Sequence, residues 1–333
     1  MRAAALATII SLATLGGASA QQAEPERPGT ARFRSEASLV ALNVTVTDAE
    51  RRLVSGLSPA DFAVYEDGVR QELRFFDAAT VPIDLILLID TSASMGGNMK
   101  VVHEAASGFL RTLRPGDRGA LVVFDSRVRV LHGLSEDLGA LEQAVRRTTA
   151  GGGTALNNAL YIALKEFGSP ARGTGEIRRQ ALVVLTDGDD TASLVSFEDV
   201  LETARRTGVA IYTIGIQSEY STAQRSSVMG RNYYSSSSFT LNRLARESGA
   251  QAFFPTGIAD LRGIYGTIAA ELSNQYSLAY APENQRQDGS FRRIVVQLPS
   301  RPELRPRARH GYLADAATLS TSRNLPNRSG KEP

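Results

Sequence analysis

The stretch that decides the fold is Ile83-Asp84-Leu85-Ile86-Leu87-Leu88-Ile89, followed at once by Asp90-Thr91-Ser92-Ala93-Ser94. Its first seven residues are almost continuously apolar. A strand with one wet face alternates apolar and polar residues, so an unbroken run implies burial on both faces. The same grammar recurs at 120–124 (ALVVF), 181–185 (ALVVL) and 209–214 (VAIYTI), and more weakly at 252–254 (AFF). Val128-Arg129-Val130-Leu131, short and close behind its predecessor, suits an antiparallel edge strand. Helices are predicted between these runs at 99–113, 138–148, 155–167, 197–206, 241–247 and 258–274. The first of them sets Val102, Ala106, Phe109 and Leu113 on one face. Strands that alternate with amphipathic helices give an α/β fold: a Rossmann-like, doubly wound, mostly parallel sheet covered on both sides.

Outward from this core the pattern changes. In Leu42-Asn43-Val44-Thr45-Val46-Thr47 apolar and polar residues alternate with period two, the mark of a half-buried strand. Phe62-Ala63-Val64-Tyr65 and Glu72-Leu73-Arg74-Phe75-Phe76 read as two more strands. Leu57-Ser58-Pro59 opens a turn before the first of them, and Glu66-Asp67-Gly68 supplies an Asp-Gly hairpin turn between them. Strands return at 276–280, 291–298 and 304–313. Asp288-Gly289 turns between the first two, and Pro299, Pro302 and Pro306 confine the last to an edge. Neither triplet buries much surface alone. The expectation is one small β-sandwich built from 36–80 and 275–313, flanking an α/β domain at 81–274.

The 333 residues, 42% of them hydrophobic, suffice for one large core and a smaller one. With 37 basic against 35 acidic residues the net charge is only +2, which argues against a nucleic-acid partner. Cysteine is absent, which excludes disulfides, thiolate nucleophiles and zinc–thiolate sites. His103, His132 and His310 share no ligand spacing. Arg2, the apolar run 3–15 and the small-residue site Ala18-Ser19-Ala20 read as a signal peptide over 1–20. The run falls short of the roughly 20 apolar residues of a membrane span, and no later stretch approaches that length. The expected product is exported, periplasmic or secreted, with no transmembrane segment after cleavage. Residues 21–35 read as a flexible linker and 314–333 as a disordered tail.

Chemistry is concentrated in three short motifs. Asp90-Thr91-Ser92-Ala93-Ser94, a D-x-S-x-S pattern, ends the first buried strand, where open α/β sheets bind their ligands. An acid and two hydroxyls are hard oxygen donors, suited to Mg²⁺ and poor for soft metals. Gly96 and Gly97 are expected to let this loop turn tightly into the next helix. Gly151-Gly152-Gly153-Thr154 precedes a helix and offers the Thr154 hydroxyl. Thr186-Asp187-Gly188 sets Asp187 at the end of another buried strand. Helix capping would account for Asp90 and Ser92 alone, but it does not call for Thr154 and Asp187. Asp189, Asp190 and Thr191 read as turn and cap residues.

Together, Asp90, Ser92, Ser94, Thr154 and Asp187 resemble the metal-ion-dependent adhesion site of von Willebrand factor type A (VWA) domains, over roughly residues 80–274. The flanking "VTVTDAERRLVSGLSPADFAVYEDGVRQELRFF", "YSLAYAPENQRQDGSFRRIVVQLP" and "RPRARHGY" are similar to a group of secreted bacterial VWA-related proteins. The resemblance implies that Ser92 and Ser94 bind the metal directly, and Thr154 directly or through water. Asp90 and Asp187 would act mainly through bound water and supporting hydrogen bonds. It further implies an open coordination position that a carboxylate from a protein partner fills. Mg²⁺ is the expected ion, with Mn²⁺ or Ca²⁺ compatible with the same donors.

The polar stretch 218–239 leaves the sheet at the same edge, and Tyr220, Arg231, Tyr233 and Tyr234 are its candidate partner contacts. The expected function is a non-enzymatic, Mg²⁺-dependent protein-binding module. Two alternatives stand beside it: an envelope scaffold with a purely structural metal, and a metal-dependent hydrolase. No G-x-S-x-G elbow or phosphate-binding G-x-x-x-x-G-K-[ST] loop supports the last.

Overall fold

The computed structural model describes residues 39–78, 81–167, 178–187, 189–216 and 236–314. The expected signal peptide, linker and tail beyond Ala314 lie outside these, as do Tyr220, Arg231, Tyr233 and Tyr234. Four strands open the described chain: β1 (Val40–Thr47), β2 (Ala63–Glu66), β3 (Val69–Gln71) and β4 (Leu73–Ala78). Then come β5 (Ile83–Asp90), α1 (Met99–Leu110), β6 (Arg118–Phe124), β7 (Val128–Ser135), α2 (Leu138–Arg146) and α3 (Leu156–Phe167). They are followed by β8 (Arg179–Thr186), α4 (Phe197–Thr207), β9 (Ala210–Gly215), α5 (Ser236–Glu247), β10 (Ala252–Phe253) and α6 (Leu261–Asn274). Strands β11 (Tyr276–Tyr280), β12 (Phe291–Gln297), β13 (Arg305–Arg307) and β14 (Gly311–Leu313) close it.

The central sheet has the order β10-β9-β8-β5-β6-β7, parallel except for the antiparallel edge β7. Every residue of β5 is buried because both faces of the sheet are covered. Leu85, Leu87 and Ile89 pack on one side with Phe109 of α1, Val145 of α2 and Tyr265 of α6. Ile86 and Leu88 pack on the other with Leu160 of α3, Leu201 of α4 and Leu244 of α5. Period-two alternation thus sorts one strand's side chains into two cores, the doubly wound arrangement that the sequence implies. Where β6 and β7 leave the sheet, Arg129 bridges back to Asp125 at 2.7 Å.

The flanking strands form two four-stranded sheets, ordered β13-β1-β11-β4 and β14-β12-β2-β3. Val40, Leu42, Val44 and Val46 of the first meet Val64 and Ile294 of the second, with Phe62 just before β2, in a third core. The N-terminal strands pair with the C-terminal ones, β1 with β11 and β2 with β12. Two details depart from the sequence reading. The Asp67-Gly68 turn joins β2 to the short β3, while 73–78 crosses to the other sheet beside β11. The expected strand over 304–313 is two strands, β13 and β14, one in each sheet, broken at 308–310. Both are edge strands, in keeping with Pro306.

A buried polar seam ties the sandwich to the α/β core. Glu271 near the end of α6 accepts hydrogen bonds from Thr45 of β1 (3.0 Å) and Tyr212 of β9 (2.6 Å) and pairs with Arg307 of β13. Gln275 donates to the hydroxyl of Tyr212 at 3.0 Å. Burial and the adjacent Glu271 charge push the Tyr212 phenol well above its ordinary value, so it stays a donor.

Candidate metal centre

The carboxyl ends of β5, β6 and β8 meet at one rim of the sheet, and each contributes a loop. After β5 the backbone passes through Thr91 and Ser92 into a 3-10 turn over Ala93–Gly97. Gly96 and Gly97 adopt no left-handed conformation, so the tight turn expected of them is made instead by the 3-10 geometry. The glycine the rim requires is Gly152, at φ +84°. A Cβ there would stand 3.1 Å from Ser126 Oγ and 3.3 Å from Asp125 Cβ.

Backbone hydrogen bonds lock the loops to one another. Thr91 N donates to Phe124 O (2.7 Å), Gly151 N to Thr91 O (2.7 Å) and Ala93 N to Gly152 O (3.0 Å). Ser126 Oγ accepts from Gly153 N at 2.7 Å, and Ala155 N donates to Asp125 O at 2.8 Å. Thr154 is fixed from the far side, its carbonyl accepting from Thr191 N at 2.9 Å and its N–H donating to Thr191 Oγ1 at 3.2 Å. Asp190 accepts from Asn157 N at the start of α3, so Asp190 and Thr191 serve as the turn and cap residues read from the sequence.

The side chains then join four of the five expected residues in two hydrogen-bonded groups. Asp90 Oδ1 accepts from Ser92 N at 2.8 Å, and its Oδ2 accepts from Thr186 Oγ1 at 2.6 Å. Ser94 Oγ donates to Asp187 Oδ1 at 2.8 Å and lies 3.0 Å from Ser92 Oγ. Since the one hydroxyl hydrogen of Ser94 goes to Asp187, Ser92 is the donor of that second pair. Ser92 makes no side-chain capping bond, so capping does not explain it. Thr154 is placed by its backbone and is buried beside this loop. Thr186 is the member that sequence reasoning left out; it stands in the Thr186-Asp187-Gly188 motif, one residue before the expected acid.

Burial sets the electrostatics of both carboxylates. Burial pushes the Asp90 carboxyl above its ordinary range and the Asp187 charge adds to that push; hydrogen bonds from Thr186 and Ser92 only partly offset it. Burial likewise pushes Asp187 up, against its bond from Ser94. Among the described residues no ion pair reaches either carboxylate, although buried acids ordinarily have a paired charge. Nor do the described residues contain any cluster of three or more His, Cys, Asp or Glu. The oxygen-rich set here is two carboxylates with three hydroxyls, which fits a hard divalent cation and offers nothing to a soft one.

Residues 84–248 match the family model for the von Willebrand factor type A domain. The chain therefore carries a VWA domain, with two antiparallel sheets added to it. Among curated relatives it is 32% identical over 113 residues to an uncharacterized protein of Synechocystis, covering 33% of this chain and 26% of that one. It is 31% identical over 143 residues to inter-alpha-trypsin inhibitor heavy chain H1 of Mesocricetus auratus, covering 40% of this chain and 16% of that one. The chain thus spans about a quarter or less of the length of these two relatives. Among solved structures it is similar to a von Willebrand factor type A protein from Catenulispora acidiphila, with TM-score 0.48, 18% identity and coverage of 72% of this chain and 52% of that one. It is also similar to the vWF domain of the type V pili tip protein Mfa5 from Porphyromonas gingivalis, with TM-score 0.42, 16% identity and coverage of 58% and 95%. No helix among the described residues is long and apolar enough to cross a membrane.

Proposed function

We propose that this chain is an exported, non-enzymatic binding module that takes Mg²⁺ at Asp90, Ser92, Ser94, Thr154 and Asp187 and, through it, a carboxylate of a protein partner. The observation that carries the reading is the meeting of two buried carboxylates, which no Lys, Arg or His pairs among the described residues, with the Ser92–Ser94 hydroxyl pair at one sheet rim. VWA domains typically serve in protein interaction or adhesion and commonly bind a divalent metal, which supports it. The ion, when bound, supplies a positive centre with a position free for an outside oxygen ligand. The chain's own residues do the rest. The Ser92 and Ser94 hydroxyls are held against each other and Asp187, while Thr186 and the Ser92 N–H hold both oxygens of Asp90 in place. The loop bonds of Gly151 and Gly152 keep Thr154 in register with the Asp90 loop. Two carboxylates at most balance a divalent ion, so no excess negative charge repels an anionic ligand that reaches the metal.

Titration calorimetry with Mg²⁺ tests this directly. The wild-type chain should give saturable heat, and Ser92→Ala and Asp187→Ala should each weaken the affinity at least about tenfold, equivalent to ~1.4 kcal/mol. Equal affinity in all three proteins would overturn the metal reading. A metal that only stabilises the fold would raise the melting temperature yet leave partner capture from an envelope fraction unchanged by chelator.

A further inference from the structure

The basic run Arg305-Pro306-Arg307-Ala308-Arg309-His310 plays no part in the metal site. From Pro306 to His310 it lines a groove of about 460 Å³, together with β12 and with Arg205 and Glu247 of the α/β domain. Two features of this groove are unmatched among the described residues.

The first is a strand edge. β14 pairs with β12 only from Phe291 to Arg293, and the last bond on that side runs from Ile294 N to His310 O at 2.8 Å. There the chain turns away to β13, which belongs to the other sheet. β12 continues for three more residues, paired with β2 on its opposite edge. Backbone groups of a strand alternate in direction, and Arg293 O accepts from Asp67 N on the β2 side. Val296 therefore directs its N–H and C=O the same way as Ile294, into the groove.

The second is charge. Four arginines and one glutamate line the groove. Arg205 is paired with Glu247 at 3.1 Å, and Arg307 with Glu271. Arg293 is exposed, and among the described residues its guanidinium meets no acceptor. Among the described residues the Arg309 guanidinium donates to the carbonyl of Ala41 (2.9 Å) and stacks on the ring of Tyr312, with no carboxylate partner, and its Nε is buried without an acceptor. Two arginines without a carboxylate partner among the described residues thus stand in a groove that Val295, Val296 and Ala308 also line.

We propose that this groove receives an extended acidic peptide segment, which adds to the edge of β12 at Val296 and sets its carboxylates against Arg293 and Arg309. Main-chain pairing supplies the affinity in this mode of recognition and flanking side chains supply the preference. The groove lies where the sandwich meets the α/β domain and shares no residue with the metal site, so the inference is independent of that site.

The test is fluorescence anisotropy of the full chain with a labelled peptide of alternating glutamate and valine, in the presence of EDTA so that the metal site takes no part. Saturable binding is expected, with none for the same peptide carrying lysine in place of glutamate. Arg293→Glu, a surface change, should weaken binding about tenfold or more. A peptide with methylated backbone nitrogens keeps the charge but cannot pair, and should lose binding. The proposal is overturned if the glutamate peptide does not bind, if Arg293→Glu leaves the affinity unchanged, or if the methylated peptide binds as tightly.

Discussion

At the amino end of β5, Asp84 accepts two bonds from Arg118 (2.8 and 2.7 Å) and one from Arg178 (2.7 Å). At the carboxyl end, Asp90 has among the described residues only hydroxyl and amide donors. Burial would raise both carboxyls; the two guanidinium groups outweigh it at Asp84 and hold that group below its ordinary value of 3.8. A depressed folded value stabilises the native state above 3.8, and this contribution is lost as pH falls through the folded value. Asp84→Asn should therefore cost about 3 kcal/mol at neutral pH, a deficit that narrows below that point; urea denaturation at a series of pH values checks it. Thr186→Val should leave Asp90 Oδ2 without its donor, lowering stability by about 1–3 kcal/mol in the same assay and weakening the Mg²⁺ heat. Retained stability and unchanged heat in Thr186→Val would show that Asp90 is positioned without it. The five expected oxygen donors are readable because each ends a strand or opens a helix in a short motif. The supporting role of Thr186 was not, since it depends on β8 lying next to β5, a neighbour relation that no local pattern encodes.

The elements of the α/β core were legible because burial on both faces leaves an unmistakable run of apolar residues, and β5, β6 and β9 fall where those runs stand. The sandwich was legible as strands but not as pairings. Leu73–Ala78 follows a hairpin turn closely enough to pass for its second strand, yet Gln71 already ends that hairpin and the next residues cross sheets. Contacts between elements explain two glycines that sequence alone leaves unremarked. Gly208 ends α4 at φ +68°, where a Cβ would stand 2.4 Å from Arg309 Nη1. Gly249, at φ +80°, would put a Cβ 2.3 Å from the backbone N of Arg309. A side-chain tip can swing away and a backbone cannot. Gly249→Ala is thus expected to destabilise more than Gly208→Ala, which should cost about 1 kcal/mol for its left-handed conformation. Truncation of the neighbour in the double variant Gly208→Ala/Arg309→Ala should recover part of the first loss, and Gly249→Ala/Arg309→Ala none. Chemical denaturation of the five proteins decides it, and equal rescue at both glycines would refute the packing argument.

On the scale of the molecule, the sandwich cannot form until the α/β domain has brought the chain ends together. Its two inner strands in one sheet are β1 and β11, from opposite sides of that domain, and β4 lies on the far side of β11. Without β11, neither β1 nor β4 has a neighbour in that sheet other than β13, which also lies after Asn274. Loss of β12 strands the β2–β3 hairpin, and an isolated two-stranded hairpin is marginal in water. A chain ending at Asn274 should accordingly lose order throughout 39–78 while the central sheet persists. That sheet buries both its faces under its own helices, and the sandwich meets the α/β domain through polar links at its margin: the Glu271 seam, Gln275 on Tyr212, Arg307 on Gly249 O, and His310 N on Glu247 O. Hydrogen exchange is the decisive measurement: amides of 40–47 should exchange as fast as an unfolded chain, and those of 83–90 should stay protected. Protection retained at 40–47 would mean that the N-terminal strands fold on the α/β surface unaided, and that the seam at Glu271 outweighs the strand pairing.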